Sequence, residues 1–124
     1  MTAFPAISRL VLYTKRMDQM VTFYETHFGY VVQRNPGDRI VELVPKSNGV
    51  HLLLHPAVKG TREGQAAVKL VFDVPDVAEF CAQAAERGLV FGPIHQADGY
   101  QFANTKDPSK NSVSVSSRAF LNKC

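Results

Sequence analysis

Apolar and polar positions fall along the chain in two runs of the same order. Ala6-Ile7-Ser8-Arg9-Leu10-Val11-Leu12 alternates its side chains as a half-buried strand does. Ala66-Ala67-Val68-Lys69-Leu70-Val71-Phe72 does the same at an offset of sixty. A helical period follows each strand. In the first, Met17, Met20, Val21, Tyr24 and Phe28 share one stripe, and in the second Val77, Phe80, Cys81 and Ala84 recur at i, i+3, i+4 and i+7. Both helical patterns stop at a glycine, Gly29 or Gly88, the residue best suited to the left-handed conformation of a helix end.

Short apolar strands are expected next, over Tyr30-Val31-Val32 and Leu89-Val90-Phe91. Pro45-Lys46-Ser47-Asn48-Gly49-Val50-His51-Leu52 then matches Pro108-Ser109-Lys110-Asn111-Ser112-Val113-Ser114-Val115 at an offset of sixty-three. Each is a proline-led polar turn opening into an alternating strand. The pattern predicts two βαβββ repeats, about 5–57 and 66–120, in one α+β domain spanning 1–124. The join, Val58 to Gln65, is polar and carries Gly60 and Gly64. One repeat alone cannot cover its sheet, so the two are expected to pair.

Composition narrows the function classes. The 124 residues suit one ordinary domain, and 45% apolar with 20% charged residues are globular values. The net charge of +3 is modest, and Lys15-Arg16 is the one basic pair, so neither nucleic acid nor a membrane is the expected partner. No apolar run is long enough for a bilayer. The opening MTAFPAISRL lacks the basic and apolar regions of a secretion signal, and Cys81 and Cys124 read as unpaired thiols. A cytoplasmic protein is the expectation.

The strand pleat sorts candidate site residues from core. Val50, Leu52 and Leu54 oppose His51, Leu53 and His55. Val68, Leu70 and Phe72 oppose Lys69, Val71 and Asp73, and in 112–116 the serines oppose the valines. A mixed face suits either a wetted sheet or a binding site. The balance tips toward a site because Arg9 and Lys69 hold equivalent repeat positions, as His51 and Ser114 do by the offset of sixty-three. Tyr100 and Phe102, in Gly99-Tyr100-Gln101-Phe102, can wall such a site or fill core. His27 is expected on an exposed helix face, and Asp107-Pro108 reads as a turn opener. No serine or cysteine nucleophile has a base beside it, and Gly60 and Gly64 make no phosphate loop.

The order and spacing of these fragments resemble the vicinal oxygen chelate superfamily, which includes glyoxalases, bleomycin-resistance proteins and extradiol dioxygenases. The resemblance rests on the first strand with Met17 through Phe23-Tyr24, and on His27-Phe28-Gly29-Tyr30. In the second repeat it rests on Phe72-Asp73-Val74-Pro75-Asp76-Val77, Glu86-Arg87-Gly88, and Asp107-Pro108 before a strand. It implies a U-shaped mixed sheet forming a ligand cup, helices on the outer face, and often a homodimer. The family's metal ligands would fall at Arg9, Lys69, His51 (or, with a shift, Leu53) and Ser114. Arginine and protonated lysine offer a cation no lone pair, so no metal or other cofactor is expected.

The implied function is metal-independent binding of a small, anionic organic molecule. Arg9 and Lys69 would hold the anion, His51, Ser112 and Ser114 would orient it, and Val11, Leu53 and Val71 would supply apolar wall. Two facing cations without counter-charge would slightly destabilise the empty protein. The alternative is a lyase, isomerase or dioxygenase of the same superfamily with atypical ligation.

Overall fold

The structure is a computed structural model that describes residues 4–121. The chain divides into two compact units at Thr61/Arg62, inside the polar, glycine-bearing segment that separates the two repeats in sequence. Each unit runs strand, helix, then three strands.

The first unit contains β1 (Arg9–Thr14), α1 (Met17–Phe28), β2 (Val31–Gln33), β3 (Val41–Val44) and β4 (His51–Pro56). Its four-stranded sheet has the order β1-β4-β3-β2, parallel between β1 and β4 and antiparallel elsewhere. Met20, Val21, Phe23 and Tyr24 of α1 meet Val41, Leu43, Leu52 and Leu54 in a buried layer. The helix ends as the glycine predicts. Gly29 takes φ 68, its N–H donates to Glu25 O, and Tyr30 N–H donates to Tyr24 O, which satisfies carbonyls that the last turn leaves open.

The second unit contains β5 (Lys69–Asp73), α2 (Val77–Glu86), β6 (His95–Gln96), β7 (Gln101–Lys106) and β8 (Ser112–Ser116), followed by a short 3₁₀ turn over Arg118–Phe120. The strand order β5-β8-β7-β6 repeats that of the first unit. Asp76 caps α2 by accepting the Glu79 N–H at 3.0 Å, a serviceable N-cap before an apolar stripe. Val77, Ala84, Leu70, Ala103, Val113 and Val115 form the buried layer.

Two expectations change. Leu89-Val90-Phe91 is not a strand; the ladder begins later, at β6. Gly92 N–H donates to Asn104 O, and Pro93, without an N–H, cannot carry the pairing on. His27 is not on a bare helix face either. It is half-buried, with its ring 5.2 Å from that of Phe23. Cys124 lies outside the described residues, while Cys81 is a free thiol whose pKa burial raises. Among the described residues no helix is long and apolar enough to cross a membrane.

Candidate functional site

In each unit one face of the sheet packs on the helix and the other is open. The register brings Arg9 beside His51, Val11 beside Leu53 and Tyr13 beside His55 on the open face of the first unit. Glu42 stands opposite Leu53 on that same face. One oxygen of its carboxylate, Oε2, lies 2.7 Å from His51 Nδ1 and 3.3 Å from Arg9 Nη2. A carboxylate at that distance fixes the proton on Nδ1 and leaves Nε2 to face a ligand. Arg9 is about half exposed, Glu42 and His51 less so. Around them Val11 and Tyr13 remain well exposed. His55 Nδ1 donates to Pro56 O at 2.8 Å, and its ring meets that of Tyr13 at 5.1 Å, tilted by 52°.

The second unit repeats this layout with different chemistry. Lys69 stands beside Ser112, and Ser112 beside Lys106, across three neighbouring strands. The next row holds Val71, Ser114 and Asn104, and the third Asp73, Ser116, Phe102 and His95. Lys69 Nζ donates to Asn104 Oδ1 at 3.0 Å and lies 5.6 Å from the centre of the Phe102 ring. His95 covers Phe102 at 4.9 Å. Ser112 is half-buried on the open face, whereas Ser114 is buried and its hydroxyl donates to Ala103 O at 3.0 Å. Tyr100 lies just before β7, under the Arg118 guanidinium at 5.2 Å.

These registers correct one expectation. His51 is the partner of Arg9, and the partner of Lys69 is Ser112, so Ser112 is the repeat equivalent of His51 and Ser114 that of Leu53. Turn length accounts for one of the two residues of slip, and Pro108, second in its turn where Pro45 is first, accounts for the other. The first unit spends positions 45–50 between β3 and β4, while the second spends only 107–111 between β7 and β8. Buried Asp107 tightens that second turn: Oδ1 accepts from Ser109 N–H and Asn111 N–H, and Oδ2 from the Asn111 side chain. Asp107 is thus a turn opener, and counting from the prolines misplaces the strand.

A second correction concerns charge. Arg9 is not an uncompensated cation, because Glu42 holds it. Glu42 and Asn104 occupy equivalent positions, each opposite the second open-face residue of the unit's last strand. A cation reaching diagonally to an acceptor two strands away therefore occurs in both units. The acceptor is a carboxylate in the first and a neutral amide in the second. Glu42, Asn104 and Lys106 are the residues that sequence reasoning missed. The alternation Val41-Glu42-Leu43 and Ala103-Asn104-Thr105 carries the signal, since it puts the polar residue on the open face.

The donor set does not fit the divalent cation that the fold implies. A guanidinium and an ammonium occupy the two first-strand positions, a serine faces the lysine, and His51 Nδ1 is committed to a carboxylate that also holds Arg9. Among the described residues no group of three or more His, Cys, Asp or Glu could hold a metal.

With sheet order, register and open faces established, comparison with known proteins gives the class. The sequence model of the Glyoxalase/Bleomycin resistance protein/Dioxygenase superfamily matches residues 6–115, and the chain belongs to that family. No curated protein sequence matches it significantly. Among solved structures it is similar to TnmS3, an antibiotic binding protein from Streptomyces sp. CB03234, with TM-score 0.76 and 19% identity over 93% of this chain and 97% of that one. It is also similar to lactoylglutathione lyase from Agrobacterium tumefaciens, with TM-score 0.69 and 21% identity over 92% and 94% of the two chains. A superfamily member from Sphaerobacter thermophilus gives TM-score 0.72 and 18% identity over 91% and 97%. At these identities the likeness concerns the fold.

Proposed function

We propose that this protein binds a small organic anion without a metal ion, using the open sheet face of the second unit as the charged contact. The observation that carries this reading is the repeated cation-to-acceptor diagonal. Arg9 meets a carboxylate, whereas Lys69 meets the neutral Asn104 amide and the Phe102 ring and shares its row with Ser112 and Lys106. The two lysines stand two strands apart, roughly 9–10 Å between backbones, with a hydroxyl between them. A carboxylate or phosphate there gains two charge-assisted contacts and one neutral donor. Val71 and Phe102 supply the apolar wall, and Tyr100 borders it. The first unit's own open face, with Arg9, His51, Val11 and Leu53, offers hydrogen bonds without net attraction for an anion, because Glu42 already balances the local charge. The buried hydroxyl of Ser114 supports the backbone of this surface. The binding described for TnmS3 supports a sequestering role over catalysis.

The Glu42–His51 contact favours a second reading, an enzyme in which His51 Nε2 moves a proton; the likeness to lactoylglutathione lyase is consistent with it. A homodimer and a cytoplasmic location belong to the same proposal. Native mass spectrometry of the purified protein reads dimer mass, carried ligand and metal together. The decisive experiment is a thermal-shift screen of organic acids at fixed ionic strength on wild type, Lys69→Met and Lys106→Met. A ligand at a hundred times its Kd raises stability by about 2.7 kcal/mol. Both variants are expected to lose most of that response. If both respond to the best acid as wild type does, the anion reading is wrong.

A further inference from the structure

The second unit carries another binding feature, at the opposite end of β5 from Lys69. A pocket of about 360 Å³ is lined by Val71, Asp73, Ser116, Arg118, Ala119 and Leu121. Lys69 and Asp73 are four strand residues apart, roughly 13 Å, so this pocket adjoins the lysine site through Val71 but has its own charged groups. Its volume lies within the range of small-molecule sites. Val71, Ala119 and Leu121 make the wall apolar, and two side chains of opposite charge border it.

Those two charges do not satisfy each other. Asp73 and Arg118 line one pocket, yet no ion pair joins them, and the Asp73 carboxylate makes no hydrogen bond among the described residues. The Arg118 guanidinium lies over the Tyr100 ring at 5.2 Å, a contact that holds the side chain and leaves its donors unused. Its backbone is fixed as well, since Arg118 N–H donates to Ser116 Oγ at 3.1 Å. In water both charges are solvated at little cost. Once an apolar ligand body displaces that water, each needs a partner of opposite sign.

We propose that this pocket binds a zwitterion, an ammonium and a carboxylate on one small apolar body, as in a free α-amino acid or a molecule ending in one. The ammonium meets Asp73 and the carboxylate meets Arg118, while Val71, Ala119 and Leu121 take the hydrocarbon. A ligand with only one charge leaves the other protein charge desolvated and unpaired. Discrimination against it is therefore strong, because a missing partner costs more than a present one gains.

The test uses the full chain and three probes: L-phenylalanine, N-acetyl-L-phenylalanine and L-phenylalaninamide, titrated by two-dimensional amide NMR at constant pH and ionic strength. The free amino acid is expected to bind roughly tenfold or more tightly than either singly charged probe. Its shift changes should centre on Val71, Ala119 and Leu121. Asp73→Asn should erase the preference over the N-acetyl probe, and Arg118→Gln the preference over the amide. Both side chains are exposed, so both variants should fold. Lys69→Met should change none of this, which separates failure here from failure of the organic-acid site. Absence of L-phenylalanine binding, equal affinity for all three probes, or a preference that survives both substitutions would overturn the proposal.

Discussion

Replacing Glu42 by glutamine removes the one negative charge that Arg9 and His51 share and keeps the side chain's shape. Two contacts change. The Arg9 pair, at 3.3 Å and half exposed, is worth at most about 0.5 kcal/mol in solvent. The His51 contact, at 2.7 Å between less exposed groups, survives as a neutral hydrogen bond and loses its charge assistance, about 0.5–1 kcal/mol. The expected loss is therefore about 0.5–1.5 kcal/mol. Unfolding entropy near 2.1 cal/mol/K per residue makes one kcal/mol worth about 4 °C in a chain of 124 residues. Calorimetry should thus show Tm lower by about 2–6 °C. A second consequence distinguishes this account from a generic surface effect. Without Glu42, Arg9 becomes an unbalanced cation like Lys69, so inorganic phosphate should stabilise the variant more than wild type at equal ionic strength. Imidazole nitrogen shifts of His51 should also move toward a mixture of tautomers. A Tm within a degree of wild type, together with an unchanged phosphate response, would refute the assignment of Glu42 as the counter-charge.

Two further outcomes follow from burial. Leu54 is fully buried on the helix side of β4 and Leu53 lies half-exposed on the open face, so Leu54→Ala should cost about 2–5 kcal/mol and Leu53→Ala clearly less by chemical denaturation; comparable losses would contradict the face assignment. Burial lifts the Tyr30 phenol above its ordinary 10.0, and its O–H donates to Val50 O at 2.8 Å. The folded state thus holds this proton longer than the unfolded chain. Its contribution is complete below pH 10 and is lost as pH rises through the folded value. Tyr30→Phe should lose about 1 kcal/mol at neutral pH and show a shallower fall in Tm above pH 10; an equal alkaline slope in both proteins would exclude Tyr30 as a source.

Legibility from sequence followed the range of the interaction that fixes each feature. The helices and the pleat were readable because period and caps are local: Met20, Val21 and Tyr24 carry α1, Gly29 ends it, and Leu52 and Leu54 declare their face of β4. The site depends on which residues become neighbours across strands, and pairing is set by turn length, which a single residue alters. The Asp107 turn, tightened by its own hydrogen bonds, is one residue shorter than its counterpart and holds its proline second, so β8 lies two residues off the count from the prolines and Ser112 takes the place assigned to Ser114. The alternation puts Glu42 and Asn104 on the open face, but their partners are not legible for the same reason, since neither sits near its cation in sequence. Once the register is known, one comparison carries the functional argument: equivalent positions hold a carboxylate beside Arg9 and an amide beside Lys69. Such a substitution leaves the fold alone and changes only net charge, so an open face that is balanced in the first unit is left cationic in the second. That difference is testable through the Glu42→Gln and Lys69→Met variants, which should shift the phosphate response in opposite directions.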